Sequence, residues 1–120
     1  MKTHVWIFVL TLMFATKITT AQNSCSKIKN YVILESTGDT YGISNNSFLK
    51  KVTFHQVKDR FSKSHYYVFV QFSDAYLEYV YKVNPDTKSK FLKLYEKDAK
   101  KAFMIYIQPY NSRLYCGPSF

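Results

Sequence analysis

Glycine and proline are scarce, three of each in 120 residues, which excludes collagen-like, linker and low-complexity character. Cysteine is almost as rare. The two present, Cys25 and Cys116, stand far apart with only His55 and His65 between them, so no metal-ligand spacing exists. No glycine-rich phosphate loop occurs. Neither histidine has a Ser or Cys nucleophile at a recognisable motif. Asp39, Asp59 and Asp74 read as turn residues. These absences predict a protein that is not an enzyme and carries no cofactor or metal. Acidic residues are few, 8 against 17 Lys and Arg, giving a net charge of +9.

Long apolar runs are lacking except at the start. Val5 to Ala15 is apolar, follows Lys2 and stops at Lys17, short of the roughly 20 residues a spanning helix needs. Thr19-Thr20-Ala21 then offers small residues for cleavage. Residues 1–21 therefore read as a secretory signal peptide rather than a retained anchor. Residues 22–120 are expected as one secreted or periplasmic domain with no stable membrane anchor. Cleavage would remove Lys2 and Lys17, lowering the net charge from +9 by two to +7, and would remove Trp6. In that compartment the simplest use of two cysteines is a Cys25–Cys116 disulfide.

What is abundant is aromatic: 11 Tyr and 10 Phe. That content argues against disorder and supplies a dense core from few positions. Tyr31-Val32-Ile33-Leu34 is a short apolar run before a turn signal at Ser36–Asp39. Asn45-Asn46-Ser47 is a loop signal and a formal glycosylation sequon at Asn45. Lys51–Val57 reads as a strand and Asp59–Ser64 as a polar connection. Tyr66, Val68, Val70 and Phe72 alternate with Tyr67, Phe69 and Gln71. After a turn at Ser73-Asp74-Ala75, Leu77, Tyr79, Tyr81 and Val83 alternate again. This predicts a β-hairpin with aromatics on both faces, one in the core and one against another strand, a helix or another subunit.

Asn84-Pro85-Asp86-Thr87 ends the strand and opens a helix. The apolar stripe Phe91, Leu92, Tyr95, Ala99, Ala102 predicts that helix over 87–101, with its lysines on the other side. Ala102–Gln108 predicts a final strand, Tyr110–Arg113 a loop. The order predicts an α+β domain: a small, mainly antiparallel sheet or an OB-like barrel, with one helix and one disulfide.

The segment from Tyr66 to Cys116 resembles the pentameric B subunits of bacterial A–B-type toxins. The shared pattern is the hairpin Tyr67–Val83, the lysine-rich helix at 87–101, the strand Phe103–Ile107 and a second cysteine soon after. That resemblance implies an OB-fold, glycan or surface binding, and a ring of copies. The chain departs from it by ending four residues after Cys116 and by keeping no tryptophan beyond Trp6. The Val68-x-Val70-x-Phe72 strand, Leu77-x-Tyr79-x-Tyr81-x-Val83 and Phe91-Leu92 also resemble the KTSC domain, a module of unknown role.

A basic, aromatic-rich domain would suit nucleic acid, but the signal peptide argues against that partner. The expected partner is an anionic glycan or an acidic protein surface, approached through the positive field. The expected ligand cluster is Tyr110, Asn111 and Arg113: a ring to stack, an amide, and a guanidinium for a carboxylate. The alternative function is a secreted inhibitor or effector that binds a protein.

Overall fold

A computed structural model of the protein describes residues 24–43 and 48–120. The signal-peptide reading of 1–21 and the Asn45 sequon lie outside the described residues. A helix, α1, covers residues 24–35. Four antiparallel strands follow as a meander, β1 (Asp39–Gly42), β2 (Leu49–Lys58), β3 (Ser64–Phe72) and β4 (Glu78–Val83), in the spatial order β1-β2-β3-β4. Then come α2 (Thr87–Tyr95), α3 (Ala99–Tyr106), a 3-10 turn (Gln108–Tyr110) and the short α4 (Asn111–Leu114).

The α+β class and the antiparallel sheet are as the sequence predicts. The sheet is open, so the barrel alternative is corrected. β1 and β4 are its two edges, and no pairing joins them.

Alternation along β2, β3 and β4 sends side chains to two faces, and helices cover both. Val52, Phe54, Val68, Val70, Phe72, Tyr81 and Val83 pack with Phe91 of α2 and Ala99, Ala102 and Phe103 of α3. Phe48, Phe72, Phe103 and Phe120 form a cluster of edge-to-face and tilted rings at one end, with neighbouring centroids such as Phe72 and Phe103 5.3 Å apart. On the opposite face Val57, Phe69 and Val80 meet Val32 and Ile28 of α1. The hairpin's second apolar face thus meets a helix, one of the three occupants the sequence allowed.

The apolar run Tyr31–Leu34 belongs to α1: Ile28 and Val32 are one turn apart and pack on the sheet, while Tyr31, Ile33 and Leu34 are exposed. Three local readings are corrected. The loop expected at Tyr110–Arg113 is the end of the 3-10 turn and most of α4. The single helix at 87–101 is two. Asp98 adopts an extended backbone and its carboxylate accepts the Lys101 N–H at 3.0 Å, so it caps a new helix. The strand at 102–108 is the body of α3. Ala99, Ala102, Phe103 and Ile107 are all buried, a spacing of three and four residues that only a helix can aim at one surface.

Cys25 and Cys116 are bonded. The bond ties α1 to the tail that follows α4. That tail is fastened again by Asn111: its Nδ2 donates to the Gly117 carbonyl at 3.2 Å, and its Oδ1 accepts the Gly117 N–H at 2.9 Å.

Candidate functional site

A recess of about 370 Å³ lies where the start of β1, the end of β2, the start of β3, the end of β4 and the opening of α2 converge. Its formation begins at Gly38. The chain there crosses so close to the sheet that a Cβ would strike the side chains of Thr53 and His55, so no larger residue fits without a shift. This crossing seals His55, which is 8% exposed and packs at a tilt against Phe69 with centroids 4.7 Å apart. Ser36 Oγ lies 3.3 Å from its Nδ1. Burial pushes the imidazole pKa below its usual value, which favours the neutral form.

Across the cleft, Lys88 of α2 donates to Asp39 of β1 at 2.6 Å. Each partner favours the other's charged form. Lys88 holds the Asp39 carboxyl below its ordinary range, and Asp39 holds the Lys88 ammonium above its own. The Lys88 ammonium also lies 5.8 Å from the Tyr41 ring centroid. Both charges are well hydrated, so the pair contributes geometry more than stability. Tyr66 and Tyr67 add phenol rings, and burial raises the Tyr67 pKa. Gln56 donates to Ser64 Oγ at 3.0 Å, and Asn84 closes the wall beside Pro85.

Asn84 is itself held from behind. Its Oδ1 accepts from the Arg113 guanidinium at 2.8 Å, and its backbone N–H donates to Thr87 Oγ1 at 3.2 Å. This is where the predicted cluster enters. Tyr110, Asn111 and Arg113 do come together, with the guanidinium 4.5 Å from the Tyr110 ring centroid. Arg113 also donates to the Lys82 carbonyl at 3.5 Å, while both ends of the Asn111 amide are engaged by Gly117. The trio fastens the tail and one wall of the cleft.

The cleft residues escaped the sequence reading because they come from five elements with no shared spacing. Asp39 looked like a turn residue, and its pairing with Lys88 spans 49 positions. Asp59 is the turn residue the sequence suggests. Its Oδ1 accepts the N–H groups of Phe61 and Lys63, and its Oδ2 sits 2.9 Å from His65 Nε2. These bonds hold its carboxyl below the ordinary range.

Chemically the cleft offers paired donors and acceptors beside aromatic rings. Asp39 is paired with Lys88, and the His55 imidazole lies beside the Ser36 hydroxyl. Among the described residues no group of three or more His, Cys, Asp or Glu could hold a metal ion, and no helix is long and apolar enough to cross a membrane. No family model, curated protein or solved structure matches this chain.

Proposed function

We propose that this is an exported binding module whose cleft receives one residue of a glycan. The carrying observation is that the Asp39–Lys88 pair, His55, Asn84, Tyr66 and Tyr67 all line one recess, the two tyrosines from opposite faces of β3. A saccharide presents adjacent hydroxyls that each donate and accept, and a ring with an apolar face. A carboxylate–ammonium pair, an amide and aromatic rings match those demands. A neutral imidazole can accept or donate a hydrogen bond without placing a buried charge against the sugar.

The basic surface favours acidic sugars. The Lys88 ammonium, shared between Asp39 and Tyr41, keeps a further N–H donor for a sugar carboxylate, and the excess of lysine steers anionic partners inward. Export rests on the leader-like residues 1–21 and accords with the disulfide. Binding without turnover is the output.

A glycan array at physiological salt, followed by titration with sialyllactose and lactose, tests this reading. Tyr66→Ala and Lys88→Ala should each weaken the strongest hit at least tenfold, with folding preserved by circular dichroism. Hits that survive both substitutions, or an array with no hits, would contradict it.

A further inference from the structure

The turn between β2 and β3 carries a second feature, argued without reference to the cleft. The pairing of β1 with β2 begins at Asp39↔Phe54, and that of β4 with β3 ends at Val83↔Tyr66. The β2–β3 pairing continues to Lys58↔Ser64. At roughly 3.3 Å per residue the hairpin therefore stands about 13 Å past the first pair of β1 and about 7 Å past the last pair of β4. Its tip is the most advanced part of the sheet at that end.

The tip has a fixed shape. The Asp59 N–H donates to the Lys63 carbonyl at 2.9 Å, and the Asp59 carbonyl accepts the Ser62 N–H at 3.0 Å. Ser62 completes the turn in the left-handed region at φ 63°. The Asp59 carboxylate is turned to its own loop, where it meets the N–H groups of Phe61 and Lys63 and the ring of His65. What remains outside is basic and apolar. Lys58, Arg60, Phe61, Ser62 and Lys63 are all exposed, Phe61 by 76%. The Arg60 guanidinium lies 5.0 Å from the Phe61 ring centroid. Lys58, Arg60 and Lys63 have no acidic partner among the described residues.

We propose that this tip docks reversibly on an anionic phospholipid surface, with the Phe61 ring entering the boundary between headgroups and acyl chains. A single ring on a convex tip has no wall beside it, so it is buried best by a medium that closes around it. The bilayer interface does so, and its phosphates lie where Lys58, Arg60 and Lys63 flank the ring. Arg60 can stay over the ring while its outer N–H groups meet a phosphate. One ring and three bases give weak, reversible attachment rather than an anchor. A second copy of this chain is a poorer occupant, because two strongly basic molecules repel.

The test uses the Phe61→Trp variant in a Trp6→Phe background, which leaves one tryptophan, at the tip. The probes are vesicles of phosphatidylcholine alone and of phosphatidylcholine with phosphatidylglycerol, at physiological salt. The indole emission should shift to the blue, and brominated acyl chains should quench it, with the anionic vesicles only. Each basic residue near an anionic surface is worth about 1 kcal/mol, or about fivefold. Arg60→Glu and Lys63→Glu should each weaken binding at least fivefold, whereas Lys97→Glu, an equal charge change away from the tip, should alter it less than twofold. All these positions are exposed, so folding should hold. With Phe61 retained, Phe61→Ser should lower co-sedimentation relative to the parent chain. The proposal is overturned if millimolar anionic lipid leaves the emission unshifted, if neutral vesicles act equally, or if Lys97→Glu weakens binding as much as Arg60→Glu does. Co-sedimentation with the indole unquenched would place the membrane contact elsewhere and also overturn it. A heparin oligosaccharide that shifts the emission where vesicles do not would assign the tip to a sulfated glycan instead.

Discussion

Cys25 and Cys116 are bonded, joining α1 to the tail after α4, whose Leu114 and Cys116 pack against the same face of the sheet as Ile28 and Val32. Only Val32 of α1 is buried, so α1 leans on this bond for its hold on the sheet. Replacing either cysteine by Ser should lower stability by about 2–5 kcal/mol in urea unfolding. Hydrogen exchange should quicken first over 24–35. Unchanged protection there would show that Ile28 and Val32 suffice.

Phe91 lies at the centre of the larger core and is fully buried, stacked on Tyr95 and packed on Phe54. Phe91→Ala should cost roughly 3–5 kcal/mol, because the removed ring leaves a cavity among stiff neighbours. Leu92, only partly buried beside it, should cost clearly less. Equal losses would mean that the helix is rotated from the position described.

Asp98 is the start signal of α3. Its carboxylate satisfies the Lys101 N–H, one of the donors with no partner inside the helix. Asp98→Ala should destabilise by about 0.5–2 kcal/mol, and Asp98→Asn by much less. Equal losses for the two substitutions would point to charge rather than capping.

The hairpin was legible because alternation over Tyr66–Phe72 and Tyr79–Val83 is a two-residue signal, and the turn between is polar. The break at Asp98 was legible in principle, since an aspartate followed by Ala99, Ala102 and Phe103 is a cap with a helical stripe. It was obscured because Phe103–Ile107 also has strong strand propensity, and burial against Phe72 and Tyr81 overrode that propensity. The same competition hid α1, where Val32 and Ile33 favour strand but only Val32 is buried. The cleft was the least legible part. Gly38, His55, Asn84 and Lys88 become neighbours only through the meander and the return of α2, which no local pattern announces.

His55 makes stability depend on pH. Burial lowers its pKa below the ordinary 6.5, so the unfolded chain takes up the proton at a higher pH than the folded one. The contribution is complete above the unfolded value. It is lost as pH falls below 6.5 toward the folded value, with a slope no steeper than about 1.4 kcal/mol per pH unit. His55→Gln should flatten urea midpoints over that window. An unchanged slope in the variant would assign the effect to other groups.

Amide-resolved NMR of the intact protein, titrated with sialyllactose at physiological salt, tests the binding cleft most directly. Shifts should concentrate at Ser36, Gly38, His55, Gln56, Asn84 and Lys88, and should be abolished by Tyr66→Ala. No shifts at millimolar sugar, or shifts centred on Tyr110–Arg113 or on the β2–β3 turn, would contradict it.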